Sequence, residues 1–551
     1  MSRRVGTSQA VNAAPSNSTP GDTVDAVVVG AGQNGLVAAN LLADAGWDVL
    51  VLEATPHIGG AVRTAELTEP GFRHDVFSAF YPLSAASPVI RGLDLERYGL
   101  RWRHAPSVLA HVLPDDRVAV LSRDLDATVA SVSAFAEGDG EAWRTQFAQW
   151  RQVRDPLLDT LFTPFPPVRP GLRLARALGA ADGVRFARML AMPVRALGEQ
   201  TYRGDGARLL LAGNALHSDL GPGAAGSSVF GWLLSMLGQD VGFPVPEGGA
   251  GGLADALAAR LRTRGGRIEC GRPVTRVLVA RGRAAGVRDA EGGFVRAKRA
   301  VLADVPAPIL YRELVGPDHL PARLLSDLDG FEWDDATVKV DWALSGPIPW
   351  RNPAAAGAGT VHLDNDLDGL TRYSAELDSG AVPREPMLVL GQMSTTDPTR
   401  SPEGTEVAWA YTHVPQGLAW DDDRLRRFVD LMEEIVERHA PGFTGRIRRR
   451  HVLGPADLHR WQPSLVGGAI NAGTAALHQQ LVFRPVPGLG RSDTPVDRLY
   501  LAGASAHPGG AVHGGPGANA AKAALARGGV TGTGYGAMMR ALHRALYAEP
   551  R

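Results

Sequence analysis

The residues best suited to chemistry near the start of the chain are the three glycines of the segment GAGQNG, which are Gly30, Gly32 and Gly35. They directly follow an apolar run at residues 26–29 that is typical of a buried strand. In such a motif the first glycine permits a tight turn, the second lets backbone amides approach a pyrophosphate, and the third lets a helix pack closely on the sheet. Because a helix N-terminus stabilises negative charge, the spacing predicts a bound dinucleotide.

An acidic side chain completes this motif. The sequence predicts a helix over 36–45 that ends at Gly46, followed by a strand over 48–52 and then Glu53. A carboxylate at that place accepts hydrogen bonds from a ribose 2′-hydroxyl and repels a 2′-phosphate. The pattern therefore favours FAD or NAD over NADP, with an ordinary glycine turn in an α/β core as the alternative.

Composition limits the class of protein. With 551 residues, 44% hydrophobic and 21% charged, the chain is typical of a globular protein of two or more domains. A formal net charge of -1 gives no electrostatic reason to expect nucleic acid as a partner. The only cysteine is Cys270, which excludes an internal disulfide, a redox dithiol and a cysteine-rich metal site. Electron transfer must therefore use a bound cofactor.

The start of the chain bears on localisation. Residues 1–23 are polar and contain no apolar h-region, which predicts a disordered tail, with a short organelle transit peptide as the lesser alternative. The scarcity of lysine and the 66 glycines are typical of a GC-rich bacterial genome. Since no apolar run reaches the roughly 18 residues of a spanning helix, we expect a bacterial, cytoplasmic protein.

Two further segments are predicted to join the first motif. At 248–289 a glycine cluster precedes a helix and short alternating strands, and at 299–310 a strand is predicted to return to the main sheet. This unit resembles the β-rich insertion of flavoproteins of the two-dinucleotide-domain type, which implies that backbone near Val274 contacts an adenine. A helix-plus-hairpin module without a ligand is the alternative.

The second of these segments lies near the end of the chain, at 499–525. It reads as a buried strand, then Gly503, a glycine-rich loop containing His507 and Gly510, and a helix that begins near 514–517. A helix N-terminus aimed by such a loop stabilises the negative charge that reduced flavin develops at N1 and the C2 carbonyl. The segment favours a flavin site, with a strand-helix turn that binds no anion as the alternative.

Four stretches together resemble one family: VVVGAGQNGLVAANLLADAGWDVLVLEATPHIGGAVRT, HAPGFTG, LVFRPVP and LYLAGASAHPGGAVHGGPGANAA. They are similar to the phytoene dehydrogenase-like flavoproteins, and within these to the branch called pyridine nucleotide-disulfide oxidoreductase domain-containing protein 2. The resemblance runs from about Asp25 to Leu525. It implies non-covalently bound FAD, a discontinuous FAD domain and an oxidoreductase of apolar substrates.

The resemblance also assigns residues. Gly30, Gly32, Gly35 and Glu53 match the pyrophosphate and ribose positions, and Gly59 and Gly60 match a turn under the flavin. The positions that match the isoalloxazine loop are Gly503, Gly510, Gly514, Gly515 and Gly517. Related amine oxidases and many carotene desaturases carry an arginine directly after the paired glycines, where this chain has Ala61. Arg63 is the candidate replacement for that contact.

The predicted fold is α/β, with a Rossmann-type FAD-binding domain interrupted by an inserted α+β substrate domain. The FAD domain comprises 24–64, 245–310 and 495–529, the substrate domain 65–244 and 311–494, and 530–551 form a C-terminal helix or tail. A second GxGxxG match at 221–226 follows polar residues rather than a strand and is interpreted as a loop. The electron acceptor is therefore left open among oxygen, a quinone and a carrier protein.

No catalytic triad, HExxH motif or carboxylate pair is recognisable, and no metal is expected. The acid–base candidates are His507 and His513 in the flavin loop, with His478 and Arg484 as further ones. For each loop histidine, bracing the backbone is the alternative role. Asn519 is a candidate contact to a flavin carbonyl, or else a helix cap.

Two surface elements have open interpretations. Residues 155–202 mix apolar side chains with arginines, which fits docking on an anionic membrane, although solvated helix faces are preferred. The helical spacing at 538–547 fits packing, formation of a homo-oligomer or no specific role.

The function predicted from all these patterns is an FAD-dependent dehydrogenase or desaturase of a small hydrophobic, isoprenoid-like substrate, acting by hydride transfer to flavin. A flavin amine oxidase with an aromatic cage is one alternative, and a flavin-bearing regulatory or interaction protein with little turnover is another.

Overall fold

A computed structural model describes residues 22–363 and 365–548. Most of the predicted disordered tail, 1–21, lies outside the described residues. The first strand begins at Asp22, two residues before the predicted domain start, because Asp22 and Thr23 pair in parallel with Val295 and Arg296. These two residues therefore belong to the sheet and not to the tail.

The first sheet has seven strands in the order β10-β11-β12-β1-β2-β9, with β18 beside β12. Strands β1, β2, β9, β12 and β18 run parallel, and β10 and β11 form an antiparallel hairpin beside β12. The bounds are β1 Asp22–Val29, β2 Val49–Leu52, β9 Arg267–Glu269, β10 Val274–Ala280, β11 Arg283–Asp289, β12 Phe294–Ala303 and β18 Leu499–Leu501. Helices cover the apolar central strands, as parallel sheets require.

The second sheet also has seven strands, in the order β17-β13-β16-β15-β14-β6-β7. One face packs Val338, Val340 and Trp342 with the apolar side of helix α14 in one core. Its bounds are β6 Ser107–Val112, β7 Val118–Leu121, β13 Ala336–Leu344, β14 Ala358–Leu363, β15 Leu388–Gln392, β16 Glu406–Val414 and β17 Ile447–Leu453. Two short ribbons complete the strands: β3 Thr64–Ala65 with β4 His74–Asp75, and β5 Trp102–Arg103 with β8 Val245–Pro246.

Seventeen α-helices are present in the described part of the chain. They are α1 Gln33–Asp44, α2 Pro82–Ala86, α3 Pro88–Arg91, α4 Leu125–Ser133, α5 Asp139–Leu161, α6 Val168–Ala191, α7 Val194–Thr201, α8 Asp205–Ala215, α9 Ser227–Asp240, α10 Gly251–Thr263, α11 Ala322–Asp327, α12 Leu367–Asp378, α13 Met393–Thr396, α14 Asp422–His439, α15 Pro455–Trp461, α16 Gly515–Gly528 and α17 Gly532–Leu546. Helix α6 is sharply bent at Gly179, which has φ 69°. Among the described helices, none combines the length and the apolar character needed to cross a bilayer.

Helices α1 and α16 come from opposite ends of the sequence and cross closely. Helix α1 begins at Gln33, three residues earlier than predicted, because Gly32 is its N-cap. At the crossing, a Cβ atom on Gly517 would lie 1.9 Å from the carbonyl oxygen of Asn34. Only glycine lets the two backbones approach this closely, so the crossing fixes the first and last motifs against each other.

Replacing Gly517 with Ala is expected to lower the melting temperature and to release FAD. The new methyl group must push α16 away from α1, and such overpacking costs about 1–3 kcal/mol. Differential scanning fluorimetry and the ratio of flavin to protein absorbance measure the two effects. The matched control is Gly534→Ala in α17, where nothing lies within 4 Å of the added Cβ atom. Equal behaviour of the two variants would contradict the importance of the crossing.

Candidate active site

The glycine loop after β1 forms a cradle without side chains. A Cβ atom on Gly30 would lie 2.8 Å from the carbonyl oxygen of Asp304, and one on Gly32 would lie 2.5 Å from a carboxylate oxygen of the same residue. A Cβ atom on Gly35 would lie 2.2 Å from the carbonyl oxygen of Gly30. The loop and the start of α1 therefore present bare backbone amides, as a pyrophosphate site requires.

Glu53 follows β2 and is buried beside this cradle. Its carboxylate accepts hydrogen bonds from the Ala31 amide at 2.7 Å and from both the amide and the hydroxyl of Thr55 at 2.9 Å. Its backbone carbonyl accepts a hydrogen bond from the Arg272 amide at 2.8 Å. This bond brings the start of β10, and with it Val274, next to Glu53, on the side where the adenosine part of a dinucleotide is expected.

The paired glycines lie against the cradle. The Gly59 amide donates to the Ala31 carbonyl at 2.8 Å, and a Cβ atom on Gly60 would lie 3.1 Å from Cα of Gly32. Both glycines have positive φ, 103° and 58°. Arg63 lies half-buried with its guanidinium 5.7 Å from the centre of the Phe77 ring. Burial lowers the pKa of Arg63, while the charge of Glu53 raises it, so the two side chains share one electrostatic environment.

Asp304 is a site residue that the sequence reasoning missed. It directly follows β12, and its carboxylate accepts a hydrogen bond from the Gly35 amide at 2.8 Å. Burial raises its pKa to about 7; the Gly35 hydrogen bond opposes this rise and the charge of Glu53 adds to it. An acid at the carboxyl end of a predicted central strand was the available signal, since parallel strands end at the same edge of a sheet.

The loop between β18 and α16 closes the site from the other side. A Cβ atom on Gly503 would lie 2.7 Å from the Val305 carbonyl oxygen, and one on Gly510 would lie 2.6 Å from the side-chain oxygen of Asn471. Gly514 has φ 72° and is the N-cap of α16, which begins at Gly515. The positions matched to the isoalloxazine loop therefore gather at one helix N-terminus.

His513 is fixed on both sides by backbone. Its Nε2 donates to the Gly510 carbonyl at 2.9 Å, and its Nδ1 accepts from the Gly515 amide at 3.0 Å. Acceptance at Nδ1 requires the neutral ring, and burial lowers the pKa of His513 to about 4. Phe162 contacts the ring edge-on at a centroid distance of 5.1 Å. This geometry is that of a brace that holds the loop in shape.

His507 differs from His513 because no group in the described chain meets full hydrogen-bond geometry with its buried Nε2. The backbone of Thr163 and Leu161 lies close enough to the ring to raise its pKa, against the effect of burial. Burial lowers the pKa of His507 to about 4, so the imidazole is neutral at pH 7. Its ring meets Phe165 edge-on at 6.5 Å. A neutral imidazole with an unused nitrogen in the flavin loop can hold a proton or orient a ligand.

Further unpaired polar atoms lie where α1 and α16 meet. The side-chain oxygens of Gln33, Asn34 and Asn519 are buried without a hydrogen-bond partner in the described chain. The amide nitrogen of Asn519 donates to the His507 carbonyl at 3.3 Å. Buried acceptors are nearly always paired in native proteins. Together with the bare glycine cradle, these acceptors fit FAD, whose hydroxyl and ring N–H groups supply donors.

Arg484 is a buried cation next to the flavin loop. Its guanidinium donates to the carbonyls of Ala504, Asn471 and Thr474 at 2.9–3.1 Å. Its Nε lies 3.4 Å from the place where a Cβ atom on Gly509 would be. Burial lowers the pKa of Arg484 to about 10, so it stays charged at pH 7. Arg484 therefore supplies a positive electrostatic field to the loop. The acid–base role considered from the sequence stays a prediction.

The other sequence candidate, His478, is not brought to this site. Its side chain is 62% exposed and pairs with Glu332 at 3.1 Å. Within residues 22–363 and 365–548, no group of three or more histidine, cysteine or acidic side chains is arranged to hold a metal ion.

The second sheet turns a polar and aromatic face toward the flavin turn. The Ser78 hydroxyl donates to the Ala61 carbonyl at 2.6 Å, and Phe80 in the same segment contacts Trp409 at a centroid distance of 6.0 Å. Trp409 stacks on Tyr411 at 5.9 Å with an interplanar angle of 24°. Because Trp409 and Tyr411 are two residues apart on β16, their side chains lie on the same face of the sheet.

A buried ion pair lies on the same face. The Lys339 ammonium donates to both carboxylate oxygens of Asp341 at 2.5 Å and to the Asp75 carbonyl at 3.0 Å. It also lies 5.9 Å from the centre of the Trp409 ring. Sequence reasoning missed this group, although charged residues at alternate positions of an otherwise apolar strand were a signal.

Comparison with known proteins agrees with this geometry. The flavin-containing amine oxidoreductase family matches residues 35–522. The chain belongs to this family. It is 31% identical to pyridine nucleotide-disulfide oxidoreductase domain-containing protein 2 of Mus musculus, covering 90% of this chain and 92% of the relative. It is 25% identical to a neurosporene-forming phytoene desaturase of Cereibacter sphaeroides, covering 91% and 94%. A putrescine oxidase structure with bound putrescine superposes with a TM-score of 0.58 at 17% identity, covering 92% and 99%.

These findings confirm four predictions made from the sequence. The chain is a phytoene dehydrogenase-like FAD-dependent oxidoreductase, its fold is an α/β FAD-binding fold, it is an enzyme, and its cofactor is FAD. The roles of individual residues and the exact domain limits stay predictions.

Replacing Glu53 with Gln is expected to raise the dissociation constant of FAD about 10- to 100-fold, since hydrogen bonds to a charged group contribute about 1.5–3 kcal/mol. Both carboxylate oxygens accept from donors, so an amide must turn its NH2 group against one of them. Titration of apoprotein with FAD, followed by flavin fluorescence, measures the constant. Glu291→Gln, at an exposed position of the β11–β12 turn, is the control. Unchanged affinity in Glu53→Gln would show that the ribose contact is misassigned.

Acidification is expected to destabilise the protein partly through His513. The folded-state pKa of about 4 lies below the ordinary 6.5, so the unfolded chain binds the proton first and stability is lost as pH falls from 6.5 toward 4. Between pH 7 and pH 5 this loss amounts to about 2 kcal/mol for one such group. Urea denaturation at both pH values should show a smaller loss for His513→Gln than for the wild type. The exposed His319→Gln is the control and should keep the wild-type pH dependence.

Proposed function

We propose that the protein dehydrogenates or desaturates a hydrophobic, isoprenoid-like substrate by hydride transfer to FAD. The observation that carries this proposal is the buried face of the second sheet, where Phe80 and Trp409 adjoin the segment next to the flavin turn at Ala61. An enclosed face of this kind excludes water from the place where a substrate C–H bond must meet the flavin. Similarity to a phytoene desaturase along nearly the whole chain supports the same reading.

The chain's own residues supply orientation and charge. Bound FAD supplies the hydride-accepting chemistry. Arg484 and the N-terminus of α16 place positive charge at the loop around Gly510, and this charge would stabilise the negative charge that a bound flavin develops when reduced. His513 holds that loop in shape through two backbone hydrogen bonds. His507 is assigned to orienting the substrate or taking up a proton at its unpaired Nε2.

The electron acceptor is proposed to be oxygen, a quinone or a carrier protein. Residues 221–226, the second glycine-rich match, form turns between α8 and α9, so the strand that should precede a nicotinamide-binding motif is replaced by a helix. This arrangement supports an acceptor other than a tightly held nicotinamide.

Oxidation of an amine is the second candidate function. The stacked Trp409 and Tyr411 rings, with Phe80 against Trp409, form an aromatic group of the kind expected to hold an amine before a flavin. The buried Lys339 next to Trp409 is neutralised by Asp341, so this charge pair offers no net negative charge that would hold an ammonium group.

Anaerobic reduction of the purified holoprotein separates the two candidates. Phytoene in detergent micelles is expected to bleach the flavin absorbance, and putrescine is expected to leave it unchanged. Bleaching by putrescine alone would establish amine oxidation, and bleaching by neither, nor by a monoterpene such as limonene, would contradict both.

The same assay tests His507. His507→Ala is expected to slow flavin reduction about 100-fold, the usual scale for loss of a positioned proton-transfer group, with flavin content unchanged. The exposed His319→Ala serves as the control. Loss of flavin content without slower reduction would make His507 a structural brace.

A further inference from the structure

The start of α6 and a neighbouring loop leave large apolar side chains exposed. On α6, Val168 and Leu172 are 61% and 52% exposed, and in the loop Leu481 and Phe483 are 52% and 46% exposed. The interpretation preferred from the sequence is that these helix faces only contact solvent. A helix face with that role does not require large apolar side chains. Exposed apolar residues that cluster mark interaction sites.

The loop and the helix belong to one surface. A Cβ atom on Gly490 would lie 2.8 Å from the Leu481 carbonyl oxygen and 3.1 Å from Cβ of Phe165. Arg491 donates to the Phe165 carbonyl at 3.0 Å. Because Phe165 lies three residues before Val168, the loop backbone packs against the segment that leads into α6.

Arginines flank these apolar side chains. Arg169, Arg173 and Arg176 are exposed at positions one turn apart on α6, beside the row formed by Val168 and Leu172. Arg173 pairs with Asp159 at 2.8 Å. For Arg169 and Arg176, no carboxylate within ion-pair distance belongs to the described chain. We call the three arginines, Val168, Leu172, Leu481 and Phe483 the basic-apolar surface.

We propose that the basic-apolar surface docks on an anionic lipid bilayer. Apolar side chains that insert at the headgroup level, bordered by arginines that attract acidic headgroups, are the pattern of interfacial helices. The charge complementarity favours a lipid surface over a second copy of this chain, whose same surface would bring arginines against arginines.

The surface lies close to the flavin loop. Phe165, at its border, contacts the ring of His507 edge-on at 6.5 Å. If the proposed function holds, a lipid-dissolved substrate or quinone reaches the site from this side. Docking on a bilayer does not depend on turnover. A negative result for either proposal therefore leaves the other one standing.

Sedimentation of the holoprotein with vesicles tests the docking. We expect binding to vesicles of equal parts phosphatidylcholine and phosphatidylglycerol, and little binding to phosphatidylcholine alone. Raising salt from about 0.1 M to about 1 M shortens the screening length from about 10 Å to about 3 Å and should weaken binding. The double substitution Arg169→Gln/Arg176→Gln should lower the vesicle partition coefficient about 25-fold, because each arginine is expected to contribute about fivefold.

Matched variants separate docking from unspecific charge effects. Arg281→Gln/Arg296→Gln removes the same charge from exposed positions of the first sheet and should bind like the wild type. Leu172→Gln/Phe483→Gln should weaken binding at both salt concentrations, and the flavin content of every variant should match the wild type. Equal binding to both vesicle types, or equal losses in the two arginine pairs, would overturn the proposal. So would a dimer in size-exclusion chromatography that Leu172→Gln/Phe483→Gln dissociates.

Discussion

The backbone contact between α1 and α16 is the constraint on which the rest of the site depends. Gly517 lets α16 rest on the Asn34 carbonyl, so the N-termini of two helices separated by more than 480 residues lie close together. We expect the first N-terminus to bind the pyrophosphate and the second to face the flavin ring system, because both parts carry or develop negative charge. A small displacement at this crossing would misalign both ends of the same ligand.

The acidic side chains around the cradle affect how well it can accept a negatively charged diphosphate. Glu53 is held by three hydrogen bonds, and the pKa of Asp304, raised to about 7, leaves that carboxyl only partly charged at pH 7. A cleft with two full negative charges would oppose a diphosphate. The buried Arg484 on the opposite side donates to backbone carbonyls, and the charges of Asp334 and Asp219 raise its pKa against the effect of burial. The electrostatic gradient therefore runs from the acidic adenosine end to the positive flavin end.

Local motifs were readable from the sequence, and contacts between distant segments were not. The turn at Gly30, the acid at Glu53 and the loop at Gly510 each depend on neighbours within a few tens of residues, so FAD and the α/β fold could be predicted. The contacts of Asp304 and of the Lys339–Asp341 pair form only when segments that are distant in the sequence are brought together. His507 has an unbonded Nε2, whereas both ring nitrogens of His513 are hydrogen-bonded. This difference arises from the geometry of the loop and could not be predicted from the residue types.

The order of strands in the first sheet has a consequence for biosynthesis. Strand β18 and helix α16 are synthesised after every other segment that contributes to the candidate FAD site. The complete site is therefore expected to form only once α16 has been synthesised, and a product that stops before β18 is expected to lack the flavin half of the site.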